Sequence, residues 1–366
     1  MKKIYLIAAA AALLASCRKD IAVEKNPVTA NHAHGLAATA ITTREATHFD
    51  SVFTRYGGGW TGGDAAVSYK LPDGRVLWLF GDTFMDTVYA DRSRPTVPFI
   101  HNTLVTTDAT GGNFKTYSGG TLQNPLPYFK AAGQQYYWPA CAFMNEAKTQ
   151  VYVFMDKVKV VGSGAFGFEV TGVDVAILNY PSLTINKITK FSIGNRINWA
   201  GASREDDDGY IYLFGVETST LYKYLHVARM PKNNPLKTVT YYNGTGWVAD
   251  TAQSIRILEG VSESFSFFKN NGKYYLLSQG SLLSRDIYLW DAQSPVGPFT
   301  NKRFVCTTPS IIGDVKIWTY NATAHTEFNQ NNELLIGYCT NSTKANGLYK
   351  NADSYRPYFV WAANWQ

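Results

Sequence analysis

Five segments of alternating or wholly apolar residues, each preceded by a polar turn, recur along the chain. They read RVLWLFGD from Arg75, QVYVFMD from Gln150, YIYLFGV from Tyr210, KYYLLSQ from Lys273 and ELLIGYC from Glu333. Their starts are about 60–75 residues apart, which suits four-stranded units. Such a unit cannot bury both faces of its sheet alone, so five of them are expected to stack radially. The repeat predicts an all-β fold, a five-bladed β-propeller with mostly four-stranded blades. Two β-sandwich domains are the alternative, but they leave the single period unexplained.

The composition agrees with β structure. Aromatic residues make up 14% of the chain and charged residues only 17%, and no long segment has helical periodicity. Cys141, Cys306 and Cys339 are far apart and lack the spacing of a zinc site, so we predict neither a metal site nor a cofactor. We interpret these cysteines as small buried residues, with one disulfide as the alternative.

The N-terminal residues have the pattern of a processed export signal. Lys2 and Lys3 precede an apolar run that is too short to span a bilayer, and Leu14-Ala15-Ser16-Cys17 matches the bacterial lipoprotein processing site. We predict a signal peptide over 1–16, a lipid on Cys17, a flexible tether over 17–45 and the propeller domain over 46–366. An ordinary secretory signal with an incidental cysteine is the alternative. The expected location is the bacterial cell envelope, at the outer membrane or cell surface.

The charge balance excludes one class of partner. Residues 1–16 contain two lysines and no acids, so the mature chain has 32 basic and 28 acidic residues and a formal charge of +4. This charge is mild and scattered, without a basic block, and does not favour nucleic acid. We expect a monomer that contacts the membrane through its lipid alone.

The segment Gly62–Phe84, GGDAAVSYKLPDGRVLWLFGDTF, predicts a β-hairpin with an acid at each end. Pro72 and Gly74 favour a tight turn between its two strands. The start of the first strand and the end of the second lie at the same edge of an antiparallel hairpin. Asp64 and Asp82 are therefore expected at one rim.

The same geometry, applied to every blade, directs a set of polar and aromatic residues into one funnel. The inner-strand starts would supply Asp64, Trp138, Trp199, Glu263 and His325, the ends of the second strands Asp82, Asp156, Glu217 and Asn341, and the third strand of the first blade His101 and Asn102. Cleavage of a glycosidic bond needs a carboxylic acid and a second carboxylate on opposite sides of the sugar. Tryptophan rings suit the apolar faces of sugars. The set therefore favours polysaccharide hydrolysis.

Residues 263–276, ESFSFFKNNGKYYL, resemble the fourth-blade segment of five-bladed propeller glycoside hydrolases of the arabinanase and xylosidase clan, and the stretch 294–299, SPVGPF, is similar to that clan as well. Residues 57–361 resemble more closely a branch of secreted bacterial propellers that includes endo-D-arabinanases. The similarity to that branch lies in the first-blade motif, in NWAGAS, and in YNATAHTE followed by YRPYF. The resemblance implies a propeller glycoside hydrolase.

The resemblance also implies roles for individual residues. Asp64 resembles the first-blade carboxylate that acts as base or nucleophile, and Glu263 resembles the general acid. The positions that resemble funnel residues of the branch are Asp82, His101, Asn102, His325 and Arg356. The chain departs from arabinanases at Asn198-Trp199-Ala200, where they have an aspartate that tunes the acid. The third carboxylate is then either Asp82 or absent.

We therefore predict a hydrolase in which Glu263 donates the proton, Asp64 activates water or attacks, and Asp82 with His325 tunes or positions them. The expected substrate-binding residues are His101, Asn102, Trp138, Trp199, His325 and Arg356. A glycan-binding lipoprotein without hydrolysis is the alternative function, and a scaffold for protein partners is a third. The sequence leaves open the sugar, the linkage, endo or exo action and the stereochemical outcome.

Each assigned residue also has a structural alternative. Asp64 would cap a turn, Glu263 would be an exposed strand-start residue, and Asp82 would hold the loops of the first blade together. His325 would be a core histidine and Arg356 would stack within its blade.

Overall fold

The structure, a computed structural model, describes residues 40–163, 167–193, 196–220, 222–281 and 284–366. These residues contain 26 strands and two short α-helices. The predicted signal peptide, the predicted lipidation site Cys17 and most of the predicted tether lie outside the described residues. Within the described ranges, no helix has the length and apolar character needed to cross a membrane.

Five antiparallel sheets follow one another along the chain, and these blades confirm the predicted propeller. The elements before the first blade are β1 (Thr42–Glu45) and α1 (Thr47–Val52). Blade 1 and the small sheet after it contain β2 (Trp60–Lys70), β3 (Val76–Met85), β4 (Phe99–Ile100), β5 (Thr103–Thr107), β6 (Lys115–Tyr117), β7 (Gly119–Gly120) and β8 (Pro125–Leu126). Blade 2 contains β9 (Gln135–Met144), β10 (Gln150–Val160), β11 (Phe168–Asn179) and β12 (Ile185–Ile193).

The last three blades vary more in their outer strands. Blade 3 contains β13 (Ile197–Glu205), β14 (Tyr210–Ser219), β15 (Tyr222–Pro231), β16 (Thr240–Tyr242), β17 (Trp247–Val248) and β18 (Leu258–Glu259). Blade 4 contains β19 (Phe265–Asn270), β20 (Lys273–Gln279), β21 (Asp286–Ala292) and β22 (Thr300–Thr307). Blade 5 and its connections contain β23 (Ile311–Ile312), β24 (Val315–Ala324), β25 (Leu334–Ser342), α2 (Ala345–Lys350) and β26 (Pro357–Ala363). Single 3-10 turns occur at Thr251–Gln253, Thr326–Phe328 and Ala352–Ser354.

A separate apolar core fills each interface between neighbouring blades. The core between blades 5 and 1 contains the buried rings of Trp78 and Phe359, and α1 adds Phe53, whose ring lies 4.9 Å from that of Trp78 and 5.4 Å from that of Phe359. A sheet with apolar side chains on both faces must pack on both sides, and a closed ring satisfies every blade. This packing explains why the apolar runs of the sequence are nearly continuous.

The N-terminal strand closes the ring. β1 pairs antiparallel with β26, with Thr42 opposite Ala363 and Glu45 opposite Val360, so it forms the outer strand of blade 5. The prediction that the tether reaches residue 45 is therefore wrong for residues 42–45. All four residues of β1 are exposed and show no apolar alternation. The strand is held by its backbone ladder and by the ion pair between Arg44 and Glu333.

Candidate active site

The inner strands of the first four blades begin at one face of the ring, and acidic side chains gather there. We call this surface the acid face and define it by Asp64, Asp82, Asp156 and Glu263. The antiparallel pairing of β2 and β3 places Gly63 opposite Thr83, so the predicted hairpin does bring Asp64 and Asp82 to one edge.

An irregular stretch of β2 positions Asp64. The pairing with β3 slips on both sides of Ala65, and Ala65 and Ala66 have positive φ angles of 69° and 51°. Bulges re-aim side chains, and non-glycine residues with positive φ are uncommon and concentrate at functional sites. The carboxyl group of Asp64 consequently lies over Gly81 and accepts a hydrogen bond of 2.9 Å from the hydroxyl of Tyr320 in blade 5.

The Asp64 carboxyl is adapted to exchange a proton near neutral pH. Burial raises its pKa, the negative charge of Asp82 raises it further, and hydrogen bonding to Tyr320 opposes both effects, with a pKa of about 7 as the result. An aspartate in water has a pKa near 3.9. Carboxyl groups with such raised pKa values are typical of general acid or base residues.

Asp82 joins blade 1 to blade 2. Its Oδ1 accepts hydrogen bonds from Trp138 Nε1 (2.9 Å) and from His101 Nδ1 (3.0 Å). Because a carboxylate only accepts, His101 carries a proton on Nδ1. The His101 ring stacks on Tyr136, with centroids 3.9 Å apart and planes at 15°, and Trp138 makes an edge contact with Phe168. Asp82 thus holds loops together, as the structural alternative proposed, and its charge also acts on Asp64.

A second pair of acids lies where blades 2, 3 and 4 meet. Asp156 is opposite Trp138 in the pairing of β10 with β9, and its Oδ1 accepts a hydrogen bond of 2.9 Å from Asn198 Nδ2. Burial raises the pKa of Asp156 to about 7, and the negative charge of Glu263 contributes. Glu263 precedes β19, is 52% exposed and forms an ion pair with Lys223. Trp138 thus lies between Asp82, which it contacts, and Asp156, its partner across the strands, and the charge of Glu263 acts on Asp156 from blade 4.

Two residues predicted to bind substrate are buried among protein groups instead. Asn102 donates to the carbonyl oxygens of Phe129 (3.0 Å) and Tyr137 (2.9 Å) and accepts from Phe129 N (2.7 Å), so its amide is fully used. Trp199 is 1% exposed, and its ring packs 5.0 Å from that of Tyr241 in the core between blades 2 and 3. The prediction that either residue contacts a sugar is wrong.

His325 was expected at an inner-strand start, but it follows the end of β24. It is fully buried, its Nδ1 lies 2.6 Å from Ser68 Oγ, and its ring packs 5.0 Å from Trp78 and 5.4 Å from Phe359. Ser68 is four residues beyond Asp64 on β2 and lines a cavity at the other end of the central channel. His325 is therefore a core histidine, and its predicted role in the funnel is wrong.

The burial of His325 has a measurable consequence. Burial lowers its pKa to about 3, so the unfolded chain binds a proton near pH 6.5 that the folded chain does not bind. Stability from this residue is present above pH 6.5 and is lost as the pH falls towards 3. We expect His325→Gln to flatten the pH dependence of the unfolding free energy between pH 6 and 4 by up to about 1.4 kcal/mol per pH unit. Denaturant unfolding of the variant and of the exposed-residue control His48→Gln would measure it; equal slopes in all three proteins would contradict the expectation.

Arg356 is also structural. Its Nε donates to Asp353 (2.7 Å) and its Nη1 to the backbone oxygens of Asp50 and Pro357 (3.2 Å each), and its guanidinium stacks on Tyr358 at 3.9 Å. It is 6% exposed. The alternative that it stacks within the blade fits the structure, and the predicted contact with substrate is wrong.

The structure adds residues that the sequence did not assign to the site. Tyr320 contacts Asp64, and Tyr355 donates a hydrogen bond of 3.2 Å to the carbonyl oxygen of Asp82. Both tyrosines lie in the YNATAHTE and YRPYF segments on which the family resemblance rests. Asp156 belonged to the predicted funnel but was given no role.

Within the described residues, no group of three or more histidine, cysteine or acidic residues is arranged to hold a metal ion, and Cys141, Cys306 and Cys339 form no disulfide.

Comparisons with known proteins place the chain in a family and support the fold. Residues 46–365 match the family described as Domain of unknown function (DUF5005). No curated protein matches. A proposed hydrolase from Bacteroides ovatus ATCC 8483 is 20% identical, with 89% of this chain and 91% of that chain covered and a TM-score of 0.77. An α-L-arabinofuranosidase from Podospora anserina in complex with cellotriose is 13% identical, with 84% and 92% covered and a TM-score of 0.47.

Proposed function

We propose that this chain, which belongs to the DUF5005 family, is a glycoside hydrolase whose reaction takes place on the acid face. The observation that carries the proposal is that two partly buried carboxyl groups from different blades, Asp64 and Asp156, lie on one face of the ring, where burial raises the pKa of each. Each lies beside a second acid, Asp82 or Glu263. Glycoside hydrolysis needs one protonated and one ionised carboxyl group across the scissile bond. The protein from Bacteroides ovatus that has a similar fold is itself described only as a proposed hydrolase.

In this proposal Asp64 is the base or nucleophile. Tyr320 orients its carboxyl group, and burial, with the negative charge of Asp82, keeps its pKa high enough for it to accept a proton from water at neutral pH. His101 and Trp138 hold Asp82 in place. Asp82 therefore acts through Asp64, as a positioning and tuning residue.

The proton for the leaving oxygen comes from the Asp156–Glu263 pair. Where the resembled arabinanases have an aspartate that tunes the acid, this chain has Asn198. The amide of Asn198 instead contacts Asp156 Oδ1, so a residue of the neighbouring blade, blade 2, supplies a carboxyl group near this position. The negative charge of Glu263 adds to the effect of burial in raising the pKa of Asp156. Trp138 and Tyr136, both partly exposed beside Asp82, are the aromatic rings that would face a sugar.

The test compares variants of Asp156 and Glu263, which we call the donor pair, on two kinds of substrate. Asp156→Asn and Glu263→Gln should each lower kcat/KM for a polysaccharide by about 10²–10⁴-fold, the usual contribution of a proton donor. Aryl glycosides whose phenol leaving group needs no protonation should be hydrolysed at nearly the parental rate. Asp207→Asn is the matched control, because Asp207 is an exposed aspartate (87%) at the β13–β14 turn.

The outcomes separate the candidate functions. Parental turnover of polysaccharide in both donor variants would contradict the proposed site. Glycan binding by the parent protein without release of product over long incubation would instead favour the non-catalytic binding protein.

We further propose that the enzyme acts outside the cytoplasm, held to a bacterial membrane by a lipid on Cys17, where polysaccharides are accessible.

A further inference from the structure

Two arginines in blade 3 share a single carboxylate beside the donor pair. Arg256 donates from Nε and Nη2 to the two oxygens of Glu217, at 2.9 and 2.7 Å, and Arg196 Nη1 lies 3.7 Å from the same carboxylate. His226 Nε2 contacts it as well, at 2.9 Å. We call these four residues the arginine cluster.

The arginine cluster carries an unbalanced positive charge. Hydrogen bonds from Arg256 are the main cause that lowers the pKa of Glu217 to about 2, and burial lowers the pKa of His226 to about 4. At neutral pH the glutamate is ionised and the histidine neutral. Two guanidinium charges therefore face one carboxylate within the cluster, and a further acid, the exposed Glu259, also acts on Arg256 through its negative charge.

The guanidinium groups of the cluster remain accessible to a ligand. The side chains of Arg196 and Arg256 are 46% and 43% exposed, whereas that of Glu217 is only 7% exposed. Arg256 stacks on Tyr224 at 3.8 Å, which fixes the plane of its fork, and no hydrogen bond to its Nη1 is found among the described residues. A fixed guanidinium with a free edge suits a carboxylate or sulfate group, which binds two parallel N–H donors.

The cluster is adjacent to the acids of the proposed reaction. Glu217 is opposite Ile197 in the pairing of β14 with β13, and the next residue, Asn198, contacts Asp156. On the next strand, β15, Lys223 lies opposite Thr218, the neighbour of Glu217, and contacts Glu263. The cluster and the donor pair thus lie at the same end of blade 3.

We propose that the arginine cluster is a binding subsite for an anionic group of the substrate, so that the polysaccharide is acidic, with sugar carboxylates or sulfate esters. The inference rests on the proposed function for the position of the scissile bond. Binding to the subsite, however, can be measured without any hydrolysis. Removal of one guanidinium should weaken binding of the anion while leaving the neutral part of the glycan bound.

The experiment measures binding by titration calorimetry in the Asp64→Asn background, with oligosaccharides of equal length. The probes are an oligogalacturonide, a sulfated galacto-oligosaccharide and a neutral galacto-oligosaccharide. We expect at least one acidic probe to bind about tenfold more tightly than the neutral one, and Arg256→Gln and Arg196→Gln each to weaken that binding about tenfold. Arg256→Lys keeps the charge that Glu217 needs and should give an intermediate loss. Arg44→Gln is the matched control, because Arg44 is 56% exposed and ion-paired on the outer strand of blade 5.

Each outcome decides the inference. A preference for the carboxylate or for the sulfate probe identifies the anion, and either supports the proposal. Equal affinity for acidic and neutral probes, or parental affinity in the arginine variants, would overturn it. Arginine-dependent binding of an acidic probe by a protein that cleaves no glycan would refute the proposed hydrolase but leave the subsite standing. Cleavage of neutral glycans alone would refute the anionic subsite and support the proposed hydrolase.

Discussion

Asp64→Asn is expected to abolish nearly all glycan cleavage, with a loss of about 10³-fold or more in kcat/KM. Asparagine has almost the same shape and can still accept the hydrogen bond from Tyr320, but it can neither take a proton from water nor attack the sugar. The loss should appear with aryl glycosides as well as with polysaccharides, because the base or nucleophile is needed whatever the leaving group. This result would distinguish Asp64 from Asp156 and Glu263, and initial-rate kinetics on both substrates would measure it.

The same substitution should stabilise the fold at alkaline pH. An acid whose pKa is raised on folding binds its proton more tightly in the folded state, so its contribution to stability falls as the pH rises from about 4 to about 7. Asparagine removes this loss together with the repulsion from Asp82. The variant should therefore have a higher free energy of unfolding than the parent at pH 8, which denaturant titration would show.

Two outcomes would contradict this view of Asp64. One is turnover within tenfold of the parent, which would remove Asp64 from the reaction. The other is a variant that is inactive but also less stable than the parent at pH 8, since its inactivity would then reflect damage to the bulged strand β2. Asp207→Asn, changed at the exposed turn, should be parental in both measurements.

The repeat and its turns were sufficient to predict the five blades, because an alternating strand after a polar turn requires only local information. The β2–β3 hairpin was predictable for the same reason, and it carried the prediction that Asp64 and Asp82 meet. β1 was not predictable, because its four residues are exposed and only the backbone ladder with β26 makes them a strand. Short polar segments that complete a sheet have no pattern of their own.

The errors at the site have more than one physical cause. A residue near the end of an inner strand faces either the central channel or a neighbouring blade, and the period of two does not say which. Trp199 faces the core between blades, whereas Trp138, with a similar place in blade 2, is partly exposed beside Asp82. His325 was misplaced because the inner strand of blade 5, β24, precedes it instead of following it, so His325 lies at the opposite end of that strand from the predicted one. The role of Asp156 depends on contacts across three blades, which no local pattern reveals.

A second large effect is expected at Gly81, the residue before Asp82. A Cβ at this position would lie 2.6 Å from Asp64 Oδ1 and 3.5 Å from Trp138 Cδ1. The first contact is too close, and the atom that must give way is the end of a rotatable side chain. Gly81→Ala should therefore keep the fold but displace the Asp64 carboxyl group, and displacements of about 1 Å cost roughly 10²-fold in rate. Steady-state kinetics and thermal unfolding of the variant would measure both quantities.

The control and a double variant make this expectation specific to Asp64. Gly246→Ala places the same methyl group where no atom lies within 4 Å, so it should leave activity unchanged. In the Asp64→Asn background, Gly81→Ala should have almost no further effect, because the carboxylate that it displaces is already absent; residues that act through one group are non-additive. Additive losses would mean that Gly81 acts through Trp138 or the backbone of β3 instead. Non-additive losses would mean that the glycine is required for the position of Asp64. Its carboxyl group lies directly on Gly81 of the neighbouring strand, and a side chain at position 81 would displace it.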